Sequence, residues 1–434
     1  AVRKERDRKE RLAKELDGLV AGLRKSHPLY ASINYPVPVF AEDLPLKEGE
    51  ALLEFGISSE ALFAFVVKKG GPVRVVKKEI PREEIDQKVK EFIEPLVSRR
   101  NEFSGVLAAE LYALLLADAL NHAGNPKRLI IIPDGILGLL PFEALTVKRG
   151  GKVFYAGEER ALTYNQSATA LALARMGKPS AAARPLLAIG NPVYDRADPR
   201  YIAYKQGRSV ARVSGDPVKY GFRGVSLTPK PGATGAPLAW ETVTFPPLPE
   251  TEDEVRAIAA LFGVRPEPPD ILLGVDASES NFRKAPLSDY RFLHFATHAD
   301  LPGKVQGIKE PFIILGQVEN KGSDKGFLTL SEVLGLKLDA EMVVLSACST
   351  GQGGIMEGEG VANFARAFQH AGSRVVVVSL WEVASNTAVE YMKYFYGHIR
   401  AGKGEAEALR LARGEIKAKY PNPFFWSVFV LYGE

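Results

Sequence analysis

The segment EMVVLSACSTGQGGIMEGEGVANFARAFQHAGSRVVVVSLW, residues 341–381, decides the fold. It opens with an apolar strand (EMVVLSA) and turns through a glycine-rich stretch. It then runs as a helix (EGVANFARAFQHAG) and returns as a second apolar strand (SRVVVVSLW). Two unbroken β-branched runs joined by a helix read as parallel neighbours, buried on both faces. Chemistry is then expected at the carboxyl ends of the strands. Cys348, the only cysteine of the chain, occupies such an end.

The same alternation extends from Leu248 onward. A helix is expected over 251–262, with Thr251 and Glu254 at capping-box spacing. Strands are expected at PDILLG, YRFLHFATHA and EPFIILG, short helices at ASESNFRKA and LTLSEVLGL, helices near 384–401 and 404–419, and a final run FFWSVFVLYG. Upstream, ALLEFG, ALFAFVV and PVRVVKKEI suggest an antiparallel meander. Helical patterns follow at about 83–98 and 105–122. KRLIII is a buried strand stopped by Pro133-Asp134-Gly135, and PLLAIGNP near 185 is another strand. Residues 193–245 show no clean period and many Gly and Pro, and read as a long, partly mobile insertion. The expected organisation is an N-terminal helix and linker over 1–35, a first half over 36–247 and a second over 248–434, in an α/β fold with a largely parallel sheet flanked by helices.

Composition sets outer limits. Of 434 residues 46% are hydrophobic, enough for a real core, and the formal net charge is only +4. No long basic block marks a nucleic-acid partner, and no nucleic-acid binding is expected. Neither a signal peptide nor an apolar stretch long enough to cross a bilayer is recognised. A single cysteine excludes an intramolecular disulfide and suits a reducing cytoplasm. The chain opens on Ala1 rather than Met, so an upstream segment is expected. Leu12, Leu16, Leu19 and Leu23 follow helical spacing, as a stripe for this body or a preceding module.

Two strand ends carry polar chemistry. His298 closes FLHFATHA and Cys348 closes VVLSAC, 50 positions later. A nucleophilic cysteine needs a partner that raises its thiolate fraction, and neighbouring parallel strands ending at one level would supply it. The plain alternative is a small buried cysteine and a structural histidine. The turn Ser349, Thr350, Gly351, Gly353, Gly354 favours catalysis, because its backbone can approach a substrate carbonyl. The N–H groups of Cys348 and Ala299 are candidates for an oxyanion hole. The glycine-rich turn lacks Gly-Lys-Ser/Thr, and Met356 replaces the third glycine of G-x-G-x-x-G, which argues against a nucleotide. His294 and His298 would lie about 13 Å apart on one strand face, with no cluster to hold a metal. A Gly-x-nucleophile-x-Gly elbow is also missing, since Ala347 and Thr350 flank the site.

FLHFATHA, VVLSACSTGQGG…EGEGVANFARAFQHAGSRVVVVSLW and NPFFWSVFVLYG together resemble the CHAT domain, a caspase-like cysteine peptidase domain related to separase. KRLIIIPDGILGLLPFEAL and FPPLPETEDEVRAIAALFG resemble its amino-terminal half, so the likeness runs from about residue 36 to the end. It implies a caspase-like sheet with an N-terminal, pseudo-caspase-like half. It implies Cys348 as nucleophile and His298 as general acid/base of peptide hydrolysis, without cofactor. The substrate strand would lie along VVVVSLW, bonded at Ser379 and Trp381. Members commonly follow a helical-repeat sensor, often tetratricopeptide repeats, and some act in bacterial defence; the N-terminal helix would suit docking of such a module. After the tryptophan the family often reads Val-Asp-Asp, whereas Ala384, Ser385 and Asn386 stand here. Glu357, Glu359, Glu382 and Asp300 are left as acids for a basic P1 residue. Trp381 could wall the pocket or pack, and Trp426 reads as core. The rival expectation is a regulatory module of the same fold, closed until its partner docks.

Overall fold

The computed structural model describes residues 2–26, 37–98, 103–176, 179–208, 228–229, 243–300, 305, 307–346, 359–382 and 385–434. Most of the expected 193–245 insertion, at 209–227 and 230–242, lies outside the described residues.

An N-terminal helix, α1 (Val2–Ser26), precedes the expected meander, seen as antiparallel β1 (Glu50–Ile57), β2 (Ala61–Lys68) and β3 (Arg74–Glu79). Helices α2 (Arg82–Val97), α3 (Gly105–Tyr112) and α4 (Asp118–Ala123) cover one face of it, the last two joined by a π turn. By length and composition Gly105–Ala123 could span a bilayer, which corrects the expectation of no such stretch. Here Leu111, Leu115, Leu116 and Ala119 are buried in the core. β4 (Arg128–Ile132), a hairpin of β5 (Thr146–Arg149) and β6 (Lys152–Tyr155), β7 (Ala161–Tyr164), helix α5 (Ala168–Met176) and β8 (Arg184–Gly190) follow. β9 (Thr228–Pro229) pairs β10 (Val243–Thr244). Then come α6 (Pro249–Leu261), β11 (Ile271–Leu273), β12 (Tyr290–Ala296), β13 (His298–Asp300), β14 (Phe312–Ile314), β15 (Phe327–Thr329) and β16 (Ala340–Leu345). The described chain closes with α7 (Glu359–Ala371), β17 (Ser373–Ser379), α8 (Ser385–Arg400), α9 (Glu405–Lys419) and β18 (Phe429–Gly433).

Eleven strands form one sheet in the order β11-β8-β12-β16-β17-β18-β7-β4-β1-β2-β3. It is mostly parallel and flanked by helices, the mixed α/β architecture the apolar runs call for. β18 joins two parallel blocks: it runs antiparallel to β17 and parallel to β7. The strands β7, β4 and β1 therefore run opposite to β12, β16 and β17, and their carboxyl ends lie at opposite edges of the sheet. β8 belongs beside β12, between it and β11, although it precedes residue 248.

Two buried polar knots tie helices to the sheet. His294 on β12 bonds Glu254 of α6 at 2.9 Å and Tyr396 of α8 at 3.1 Å, all fully buried. The expected capping box is therefore corrected. The helix starts at Pro249, Thr251 donates to the Leu248 carbonyl and accepts from Asn191 N–H, and Glu254 is taken by His294. The second knot joins Glu143, Tyr164 and Arg413, with Tyr164 Oη donating to Glu143 at 2.6 Å and Arg413 reaching its other oxygen at 3.2 Å.

Gly372 shapes the entry to β17. Its φ is +114° and a Cβ there would meet the Leu338 carbonyl oxygen at 2.1 Å, while Leu338 N–H bonds Ala371 O. Gly372→Ala should destabilise by on the order of 3 kcal/mol, since left-handed strain and a backbone clash add. A urea midpoint unchanged from wild type would contradict this.

Candidate active site

β12 leaves the ladder at Thr297, and the chain resumes as β13, which pairs with β14 through His298–Ile314, Ala299–Ile313 and Asp300–Phe312. His298 thus stands just past the carboxyl end of β12, and where the sequence suggests a strand giving way to a loop it opens a second strand. It is fully buried, and its Nε2 lies 2.8 Å from the Pro246 carbonyl oxygen. A carbonyl only accepts, so Nε2 carries a proton; in the neutral ring Nδ1 is then the basic nitrogen.

Aromatic rings enclose this imidazole. Tyr194 lies 5.5 Å from it and Phe245 6.5 Å, centroid to centroid, and the two rings meet edge to face at 5.6 Å. Tyr194 Oη bonds Thr297 Oγ1 at 2.8 Å, and the backbone of His298 also reaches that hydroxyl. Burial pushes the Tyr194 phenol well up, so it stays neutral and able to donate. The loop carrying it is pinned: Val193 N–H bonds Gly274 O and Gln317 N–H bonds Val193 O. Arg200 grips Asp198, Asn191 and the Pro192 carbonyl. Burial raises the Asp198 carboxyl, but hydrogen bonds from Arg200 outweigh it and hold the group below the usual range.

Strand parity decides which way the main chain at Ala299 faces. Leu315 N–H bonds Gly326 O and Leu330 N–H bonds Pro311 O, so residues 311, 313 and 315 turn their main-chain groups to β15. Phe312 and Ile314 face β13, and their partners His298 and Asp300 carry that ladder. The N–H of Ala299 between them turns out of it. On β17, Leu380 N–H bonds Val428 O, so Ser379 and Trp381 direct their main-chain groups to the β16 side. The last β16 pair there is Leu345 with Val378. Through Val378, β17 is an interior strand between β16 and β18, so an added strand could pair only from Ser379 onward.

Cys348, its whole turn 347–358 and Glu357 lie outside the described residues. So do Ala384 and the side chains of Asp300, Glu359 and Ser385. Ser379 and Glu382 are buried. Trp381 is 1% exposed, stacks on Phe424 and donates Nε1–H to its carbonyl, so its ring is packed in the core. Trp426 is core as expected. No cluster of metal-ligating side chains exists among the described residues. Sequence reasoning missed Tyr194, Phe245, Pro246 and Thr297, all of which contact or frame His298. The only signal available was that Tyr194 and Phe245 border the aperiodic segment.

A family model described as the CHAT domain matches residues 105–434. Tetratricopeptide repeat protein 28 of Homo sapiens is 24% identical over 375 residues, covering 78% of this chain and 13% of that protein. The Mus musculus protein of the same name is 26% identical over 217 residues, 43% of this chain and 9% of its own length. The chain thus spans only a small part of these curated relatives. Among solved structures, the Saccharomyces cerevisiae separase–securin complex is 8% identical with a TM-score of 0.46, covering 89% of this chain and 30% of that one. The Arg specific cysteine proteinase gingipain R is 9% identical with a TM-score of 0.40, covering 80% and 75%.

Proposed function

The chain belongs to the CHAT domain family, and from that premise we propose that it is a cysteine endopeptidase with Cys348 as nucleophile and His298 as general acid/base. One observation carries the reading. Every described pair between β12 and β16, from Phe292 with Met342 to Phe295 with Leu345, differs by 50 in residue number. Ser346 N–H still bonds Phe295 O beyond the last pair. His298 and Cys348 are separated in sequence by that same offset, which supports a reading in which both lie near the carboxyl ends of these neighbouring strands.

The chemistry follows from the donors and acceptors. With Nε2–H held by Pro246, Nδ1 takes the thiol proton and the Cys348 sulfur attacks the peptide carbonyl. The N–H groups of Ala299 and Cys348 receive the oxyanion. Protonated His298 gives its proton to the leaving amine, and a water activated by the same nitrogen releases the acyl group from sulfur. Main-chain groups of Ser379 and Trp381 would bind the substrate as an added strand. Glu382, with Asp300, Glu357 and Glu359, supplies the negative charge for a basic P1 residue. Equal cleavage after Lys, Asp and Ala in a peptide panel would contradict that preference.

Partner control is part of the proposal. α1 exposes Leu12, Leu16 and Leu19 to solvent, a face for an upstream helical-repeat module. A cytoplasmic setting, and a role in bacterial defence or signalling, fit the resemblance. The full burial of His298 favours a second reading, in which the same site is closed until that partner docks.

The test is the alkylation rate of Cys348 against pH, read by intact mass in wild type and His298→Ala. With one cysteine, every adduct reports on the same sulfur. Fast reaction near neutral pH that slows without His298 is expected of an assembled dyad. The titration of an ordinary thiol, unchanged by the substitution, would favour the closed module.

A further inference from the structure

The environment of His298 contains a hydrogen-bond chain whose direction is fixed at its carbonyl end. Thr297 Oγ1 donates to the Ile314 carbonyl, which can only accept. The threonine has no second proton, so across the 2.8 Å contact the Tyr194 hydroxyl is the donor and Thr297 Oγ1 the acceptor. The backbone of His298 is in contact with the oxygen of Tyr194. The order of donation is Tyr194 to Thr297, and Thr297 to Ile314. It crosses the bend at which the chain leaves β12 for β13. Thr297 is fully buried and Tyr194 nearly so, so no water competes for these bonds.

The ring of Tyr194 performs a second task. It lies across the imidazole at 39° and meets Phe245 from the far end of the 193–245 segment, next to the Pro246 carbonyl that holds Nε2. One side chain thereby touches the backbone of the histidine, its ring, and the residue beside its carbonyl partner.

We infer that Tyr194 is a positioning residue for His298: its hydroxyl sets the backbone at Thr297–His298 and its ring sets the imidazole plane. Together these keep Nε2–H on Pro246 and leave Nδ1 as the basic nitrogen. The inference rests on the reading of His298 as acid/base, but the tautomer it fixes can be measured without any activity. Arg200 and Glu250 are the charged groups whose fields reach Tyr194.

The experiment uses the full chain with ¹⁵N-labelled histidine, the His298 signals being assigned by their loss in His298→Gln. Wild type should give one set of ring shifts, with Nε2 protonated and Nδ1 unprotonated. Tyr194→Phe retains the ring and removes the hydroxyl. It should populate both tautomers and lower the Cys348 alkylation rate at neutral pH by about tenfold, as expected for slight misplacement of a base. Thr297→Val, which removes the next link and keeps the shape, should shift the tautomers in the same way. Tyr194→Leu should be slower than Tyr194→Phe, because the ring is lost too. Wild-type tautomer and rate in both Tyr194→Phe and Thr297→Val, at unchanged melting temperature, would overturn the inference. If His298→Ala leaves alkylation unaffected, the peptidase reading fails instead, and the tautomer comparison still decides the role of Tyr194.

Discussion

Removing the His298 side chain should lower peptide hydrolysis by about 10²–10⁴-fold, the usual weight of a single general acid/base. Cys348→Ala should abolish acyl transfer altogether, leaving only background. The informative variant is the double substitution. Nucleophile and base act as one unit, so Cys348→Ala/His298→Ala should be no slower than Cys348→Ala alone. A histidine acting only as packing would predict otherwise. His298 sits in a buried cluster with Tyr194, Phe245 and Phe327. Its removal would then loosen the fold and lower activity in proportion to the folded fraction. Thermal melts separate the two cases: a large loss of rate with the wild-type transition retained supports the dyad. A loss that tracks the melt, or an additive double variant, refutes it.

The largest effect on stability is expected at the buried pair Glu143–Arg413. Burial pushes the Glu143 carboxyl up, while the charge of Arg413 and the Tyr164 hydrogen bond pull it back. Arg413→Met removes the compensating cation and should cost about 3–5 kcal/mol at neutral pH, because a buried charge is left unpaired. The sign of the pH effect follows. A carboxyl whose folded pKa lies above its unfolded value stabilises the fold at low pH and loses that contribution as pH rises through the folded value. Without Arg413 the main opposition to that rise is lost, so the variant should recover towards wild type as pH is lowered from about 8 to 5. Glu143→Leu/Arg413→Met should regain most of the loss at all pH values, since no charge remains to be solvated. Urea midpoints across this pH range provide the check. A cycle that is additive and independent of pH would show that the pair is not coupled.

The parallel block was legible because its strands announce themselves. FLHFA, MVVL and VVVV are apolar on both faces, and the helix after the glycine-rich turn has a clear stripe. The meander at 50–79 was legible from its short, turn-bounded runs. The place of β8 was not, because nothing local in PLLAIG says that it pairs with a strand a hundred residues later. The same limit hid Tyr194 and Pro246. Both flank a stretch with no period, and only the fold returns its two ends to one histidine. Glu143 and Arg413 are 270 residues apart, each an ordinary charge until both are buried. Thr251 and Glu254 show the reverse error. Their spacing matched a local motif, but Leu248, Asn191 and His294 compete for the same atoms and win, because those contacts are buried.

The strand that unites the two blocks is β18, and the other seventeen described strands all precede it in chain order. Synthesis proceeds from the amino end, and folding begins on the ribosome. The meander block and the block bearing His298 therefore emerge with an empty slot between β17 and β7. Until Phe429–Gly433 is released, both facing edges remain unpaired and the Phe429 carbonyl that Arg413 needs is absent. A nascent chain would thus carry every other strand of the sheet before it carries the one that braces β17. The order of the elements delays closure of the eleven-stranded sheet until its final strand is made.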